Sequence, residues 1–457
     1  MSFNALQCSL AQAEESLQDL LLTNARLTDL VARALTATET WHQRARKLPA
    51  PLAVWSVVSL VLNRSVSVER WLDRLVTSEC GIPGSPRFPE VTKEAIGRAR
   101  KRLGHAPLRW MYEQHSSQIA VKPSYKGHRL FGVDGTRLTL PDTPENEEKF
   151  GRPSASRGET AFPQALLAGL FSLATRHVVA CSIGCSRAPD ERGLAMRLLE
   201  NLERRDVLLA DRGFAGLPFI LAVVRRGAHF LVRLPASFKP VFLARLPDGS
   251  SLVRLNGTAV IDGKERRGSV LARLVAYEIG PRERVVLATS LLNPHRYPAH
   301  ELACLYHKRW DCELGFDEIK THQAAPRNGT CPTQIRSKLS DLALQEIYAL
   351  LFAYNQVRDL MAAAAEKNGT DPLELSFLRV LDFVSHRYSE VRTPIDGDVL
   401  LAIVGGLVID RPRRPRRYRR AVKRKMSNYP LKRRTDPPEP VDWLEGPRIV
   451  DLSALPA

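Results

Sequence analysis

No stretch of this 457-residue chain is apolar for long enough to cross a bilayer. The longest mainly apolar run, Ala165 to Ala174, is cut off by Arg176 and His177 just beyond Thr175. The opening residues, MSFNALQCSLAQAEESLQ, show no basic start leading into an apolar segment, so no export signal is expected and a cytoplasmic protein is. A disulfide framework is missing too. Cys8, Cys80, Cys181, Cys185, Cys304, Cys312 and Cys331 are odd in number and irregular in spacing, which in a long chain means reduced thiols. Cys181 and Cys185 lack the second Cys/His pair that a closed zinc site requires. Acidic residues are scarce: 49 against 67 Lys and Arg, for a net charge of +18. A surplus of that size points to a polyanionic partner, nucleic acid ahead of an anionic membrane.

One segment holds no acid at all. Arg411 to Arg434 carries Arg416, Arg417, Arg419, Arg420, Lys423, Arg424 and Lys425 at its centre and supplies most of the net charge. Pro412 and Pro415 oppose a continuous helix there, so an extended arm along a phosphate backbone is expected, with a solubilising tail as the other reading.

What is present is enough apolar material, 44%, to build a real core, in a length that suggests two or three units. Residues 1–125 read as helical, with a basic stripe at Arg98, Arg100, Lys101 and Arg102 that could meet phosphates or simply face water. From Leu130 the pattern changes to strands. Leu130–Val133 ends in Asp134-Gly135-Thr136, read as strand, turn and strand continuation. Gln164–Leu173 and His177–Gly184 flank a Thr175-Arg176 turn. A helix capped by Asp190 follows, then the strand Val207–Ala210 running into Asp211-Arg212-Gly213-Phe214, a helix, and the strand His229–Leu234. Three strands followed by alternating helix and strand imply an α/β mixed sheet flanked by helices. Residues 237–292 break the alternation with a hairpin around Pro247-Asp248-Gly249-Ser250 and further strands, a β-rich insertion. A long helix from Ser337 to Ala365 closes the fold.

The densest chemistry lies at Tyr306, Arg309, Glu313 and Lys320. At the α-helical advance these four fall within an arc of about 60°. One face then carries a carboxylate between two cations and a phenol, suited to a metal-binding acid among phosphate-gripping groups. A solvated helix laced with ion pairs would carry similar residues. Asp134 and Asp211, each at the end of an apolar run, could be turn formers taken singly. Together with Glu313 they supply three hard carboxylates, the donor type that divalent ions use for phosphodiester chemistry.

The spacing of Tyr306, Arg309, Glu313 and Lys320 resembles the YREK signature of DDE-type insertion-sequence transposases, in the branch named after insertion element 4. All four positions match. Asp134-Gly135-Thr136 and Asp211-Arg212-Gly213-Phe214 resemble the family's two aspartate motifs, and the likeness spans about residues 15–435. The resemblance implies an RNase H-like catalytic core over 126–236 and 293–400, interrupted by the insertion at 237–292. It also implies a helical end-binding domain over 1–125 and a basic arm over 401–457. It implies Asp134, Asp211 and Glu313 as catalytic metal ligands for two Mg²⁺ ions, with Mn²⁺ as a substitute. Tyr306, Arg309, Lys320 and Arg212 would hold phosphates. The implied activity is cleavage at the ends of a mobile element and joining to target DNA, by a homodimer pairing two ends. A derivative that only binds DNA is the alternative, and broken acids would mark it. Hairpin-forming members use an aromatic residue in the insertion, often Trp. No Trp lies there in this chain, which leaves Phe242 or Tyr277, or a different treatment of the second strand.

Overall fold

A computed structural model describes residues 27–41, 48–62, 92–155, 158–186, 190–261, 264–279, 283–324, 333–390, 396–409 and 447–450. The basic run 411–434 and the apolar stretch Val68–Leu75 lie outside the described residues. Contacts divide the chain into two compact units. One comprises Met1–Asn201 with Asp311–Ile409, the other Leu202–Trp310 with Asp410–Ala457.

In chain order the elements begin with helices α1 (Leu27–Ala37), α2 (Ala50–Leu62), α3 (Lys93–Leu103) and α4 (Ala106–Ser117). Strand β1 (Leu130–Thr139) and helix α5 (Pro144–Phe150) follow. Next come the short pair β2 (Ser154–Ala155) and β3 (Gly158–Glu159), then β4 (Gln164–Ser172), β5 (Val178–Cys185) and α6 (Glu191–Leu198). The second unit holds β6 (Val207–Ala210), α7 (Leu217–Arg225), β7 (His229–Arg233), β8 (Val241–Arg245), β9 (Ser251–Ile261), β10 (Lys264–Ile279), β11 (Glu283–Thr289) and α8 (Ala299–Tyr306). Helix α9 (Trp310–Asp317) leads back into the first unit, which ends with α10 (Ser340–Asn368), α11 (Phe377–Glu390) and α12 (Gly397–Gly405); β12 (Arg448–Ile449) lies in the second.

The first unit is a three-stranded antiparallel sheet, β5-β4-β1, covered by helices. Its middle strand, β4, is buried over nearly its whole length because both faces of Ala165-Leu166-Leu167-Ala168-Gly169-Leu170-Phe171 are packed. Helix α10 forms the spine. Ala343, Ile347, Leu350, Leu351, Tyr354 and Leu360 are among its buried residues, and Gly369 ends it in the left-handed conformation, φ +65°. The N-terminal helices pack on this spine: Arg100 donates to Gln345 and Ser337 at 2.9 Å, and His115 pairs with Asp359 at 2.6 Å. Arg100 therefore leaves the basic stripe read from the sequence and turns inward. Arg98, Lys101 and Arg102 are exposed.

The second unit is a mixed sheet. Parallel β6 and β7 are joined through α7, the crossover that parallel pairing requires, and β11, β10, β9 and β8 continue from β7 in antiparallel order. The expected hairpin forms, with Gly249 at φ +79° in its turn. Its ribbon is longer than the apolar pattern indicates. Pairing of β9 with β10 continues through Lys264↔Ile261, because a two-stranded extension needs ladder hydrogen bonds but no buried face.

Two local expectations change. Strand β1 runs through Asp134 and Gly135 without a turn, held by unbroken pairing from Phe131↔Ser172 to Thr139↔Gln164. Residues 306–320 do not form one α-helix: α8 ends at Tyr306, a 3₁₀ turn covers His307–Arg309, α9 follows, and a π-helical segment spans Glu318–Gln323. No helix among the described residues is long and apolar enough to cross a membrane.

Candidate active site

In the first unit the sheet is made flat where a helix must approach it. A Cβ added at Gly132 would lie 2.3 Å from Cys312 Sγ, and one at Gly169 would lie 3.1 Å from Phe316. On the helix, a Cβ at Gly315 would lie 2.6 Å from Phe171. Glycine at these three positions lets α9 settle onto β1 and β4, and Phe171 and Phe316 meet edge to face at 4.8 Å. Residues two apart on a strand share a face, and directly paired residues on neighbouring strands do too. Asp134 thus shares the face of Gly132, and its partner across the ladder is Gly169. Thr136, next on that face, accepts a hydrogen bond from Lys320 Nζ at 3.0 Å. The helix contacts run Cys312, Phe316, Lys320 along the same line as Gly132, Asp134, Thr136, and Glu313 sits within that span. Asp134 and Glu313 are both half-buried.

The environment of Lys320 is cationic and partly dry. Burial lowers its pKa from the ordinary lysine value; Asp317 opposes this and Arg137 adds to it. Asp134 Oδ1 accepts from the Gly135 amide at 2.9 Å. On the opposite face of β1, Glu191 crosses Gly135 so closely that a Cβ there would meet its Oε1 at 1.9 Å.

In the second unit Asp211 follows the last residue of β6. Parallel register sets Ala210 beside Val232, so Asp211 and Arg233 leave adjacent strands together. Asp211 Oδ1 accepts from the Gly213 amide at 2.7 Å, an Asx turn that orients the carboxylate. Arg212 is exposed. Tyr306 is buried and its hydroxyl donates to the Ala210 carbonyl at 3.3 Å. Burial pushes its pKa up to about 12, with Arg309 and Arg233 opposing and Asp211 reinforcing the rise. Tyr306, Arg309, Asp211 and Arg233 are therefore electrostatic neighbours. Arg309 is 9% exposed and its guanidinium lies 5.4 Å from the Trp310 ring.

Sequence pattern alone does not single out Arg233, although it carries a signal: it ends a buried strand as Asp211 does, and the C-terminal ends of parallel strands converge. Among the described residues, no three His, Cys, Asp or Glu side chains are grouped closely enough to hold a metal. The donor chemistry nonetheless suits a hard divalent ion, since all three acids offer carboxylate oxygens. Arg416, Arg417, Arg419, Arg420, Lys423, Arg424 and Lys425 lie outside the described residues. Of the two aromatics singled out in the insertion, Tyr277 is fully buried against His307, its ring 5.9 Å away, and cannot receive a base; Phe242 is 58% exposed on β8.

The helix of Glu313 seated on the antiparallel sheet of one unit, and Asp211 grouped with Arg309, Arg233 and a buried phenol in the other, make an α/β protein whose side chains suit phosphate chemistry. Comparison with known proteins makes the class specific. Residues 17–113 match the family described as insertion element 4 transposase N-terminal, and residues 125–355 match the transposase DDE domain. The chain belongs to the DDE transposases of the insertion element 4 family. It is 29% identical to the protein named "Transposase InsG for insertion sequence element IS4" of Escherichia coli (strain K12) over 417 residues, covering 88% of this chain and 91% of that protein. It is 26% identical to the same organism's "Putative transposase InsZ" over 215 residues, 46% of this chain and 69% of that one. Membership brings the RNase H-like fold, a divalent-metal-dependent enzyme and DNA as partner.

Proposed function

We propose that this transposase cuts at the ends of its own element and joins the freed 3′-hydroxyls to target DNA, with Asp134, Asp211 and Glu313 as its metal-binding acids. The observation that carries the reading is the seating of α9: Gly132, Gly169 and Gly315 bring the helix of Glu313 down on the strand of Asp134, and Lys320 reaches Thr136 beside it. Mg²⁺ is the proposed ion, with Mn²⁺ able to substitute. When bound, a pair of such ions roughly 3.5–4 Å apart supplies Lewis acidity at both ends of an in-line displacement.

The chain's own groups do the rest. Tyr306 stays protonated across the working pH range, so its hydroxyl serves as a donor rather than a base. Arg309 and Lys320, partly withdrawn from water, hold non-bridging phosphate oxygens more strongly than exposed cations would. Arg212, exposed beside Asp211, meets the backbone further along. Residues 1–125 form the end-binding region, 126–236 and 293–400 the catalytic core around the insertion at 237–292, and the arm within 401–457 follows the duplex. Two copies pair the two element ends.

A labelled element end incubated with Mg²⁺ tests the assignment. Glu313→Gln should slow cleavage and strand transfer by roughly 10³-fold, the effect of losing several kcal/mol of transition-state stabilisation. Full activity in that variant overturns it. A chain that only binds DNA is not favoured, because the three acids and the YREK positions are intact.

A further inference from the structure

One guanidinium grips both ends of the helix that carries Glu313. Arg176 Nε and Nη2 donate to Asp311 Oδ1 at 2.9 and 2.6 Å, and its Nη1 donates to Glu318 Oε1 at 3.2 Å. Asp311 lies in the first turn of α9, and Glu318 opens the π-helical segment that follows it. Glu318 is 8% exposed and is also held by Arg358 Nη2, with the Tyr354 hydroxyl 3.0 Å from its Oε2. Two arginines and two carboxylates thus balance in a closed network. Tyr354 and Arg358 belong to the rigid spine α10.

The presenting turn is itself fixed. Arg176 holds a left-handed backbone, φ +59°, which a non-glycine residue adopts at a cost. Its amide donates to the Ser172 carbonyl at 2.8 Å and its own carbonyl lies 3.0 Å from the Tyr354 hydroxyl. The next residue, His177, binds Asp359 of α10 at 3.0 Å.

We infer that Arg176, acting through Asp311 and Glu318, is a positioning residue for the reaction: it sets the rotation of α9 about its own axis and so aims Glu313 at Asp134. This rests on the reading of Glu313 as a metal-binding acid. Cys312 and Phe316 mark the side of α9 that faces the sheet. At the α-helical advance Asp311 lies about 120° to one side of that line and Glu313 about 80° to the other. A grip on one flank therefore controls the other. A rotation of about 20° moves a carboxylate some 5–6 Å from the axis by roughly 2 Å. Misplacement on that scale is enough to cost a large factor in rate. The π-helical segment fits this role, because it is the place where angular phase can change and Glu318 begins it.

Arg176→Gln and Arg176→Lys, in the full-length protein, test the proposal. Arg176→Gln should lower the cleavage rate at saturating DNA and Mg²⁺ by roughly 10- to 100-fold, the scale of effect expected when a reacting group is misplaced by an ångström or so. Metal-free affinity for the element end should not change. Lysine, which keeps the charge but reaches one carboxylate at a time, should recover part of the rate. In the metal-free protein, amide hydrogen exchange should quicken across 311–323 and not in β1. If Arg176→Gln does not fold, Glu318→Gln is read by the same measurements. An unchanged rate overturns the proposal, as does a DNA affinity that falls in step with the rate. So does exchange that quickens equally in β1. Glu313→Gln run alongside separates the two ideas. If it stays active, the site assignment fails; if it is inactive while Arg176→Gln is fully active, only the grip fails.

Discussion

A methyl group at Gly132 would sit 2.3 Å from the Cys312 sulfur, inside any permitted contact. Cys312 is fully buried, so the helix has to lift or turn to make room. Gly132→Ala should therefore destabilise the protein by about 1–3 kcal/mol, the usual effect of overpacking. It should also lower activity by more than the stability loss explains, because Glu313 neighbours the displaced residue. Comparing the urea midpoint with the cleavage rate on folded protein checks both. At Tyr306 the expectation concerns pH. A phenol pushed up to about 12 does not titrate between pH 7 and 9, so Tyr306→Phe should lower the rate without changing its pH profile in that window. The three acids and the YREK positions stand out in the sequence as candidates because their chemistry is tied to spacing. Gly132, Gly169 and Arg176 are not. Their roles depend on what lies above them, and the sequence separates Gly132 from Cys312, and Arg176 from Asp311, by long stretches of chain.

At the scale of elements, the insertion hairpin is anchored by one residue. Asp248, in the β8–β9 turn, pairs with Arg273 Nη2 and accepts from the Ala299 amide at 2.8 Å, at the start of α8. Arg273 is fully buried and also donates to Ser250 Oγ at 2.7 Å and the Tyr297 carbonyl at 2.6 Å. Asp248→Asn leaves that guanidinium buried without its counter-charge. A loss of about 3 kcal/mol in stability is expected, read as a lower urea midpoint at unchanged slope. Because α8 ends in Tyr306, cleavage by the folded remainder should fall too. Strand and helix order follows readily from apolar periodicity. The π-helical segment does not, since nothing in the run Phe316-Asp317-Glu318-Ile319-Lys320 announces that Glu318 will be buried between two arginines. Asp134-Gly135 misleads for a similar reason. The pair favours turns locally, but continuous pairing with β4 outweighs that preference.

For the molecule as a whole, acid sensitivity and salt sensitivity are both set by identifiable groups. His177 is 2% exposed, and burial lowers its pKa despite its bond to Asp359. The folded protein then resists a proton that the unfolded chain accepts, so stability is full above the ordinary histidine value of 6.5 and declines as pH falls below it. Asp359 is held down at about 2 by its bonds to His115 and His177, although burial alone would raise it. Its contribution is present above 3.8 and is lost as pH falls from there through about 2. The urea midpoint should be lower at pH 5 than at pH 7.5, and His177→Gln should flatten that difference. The basic arm predicts a different dependence. Neutralising Arg416, Arg417, Arg419, Arg420, Lys423, Arg424 and Lys425 should weaken binding to any duplex and reduce the log–log salt slope by about 0.9 for each phosphate that no longer meets a cation.

The first unit is assembled from two lengths of chain, Met1–Asn201 and Asp311–Ile409, with most of the other unit between them. During synthesis, β1, β4 and β5 leave the ribosome long before the helix that covers them. At about 5–20 residues per second the interval between Asp134 and Glu313 lasts roughly 10–40 s. Throughout that time Phe171 and the glycine-lined face of β1 and β4 have no lid. A nascent chain stalled or cut before Asp311 would present a bare apolar sheet, prone to aggregation and handled by chaperones rather than released as an active nuclease. With Glu313 as the proposed third acid, catalytic competence would arrive only once translation has passed α9.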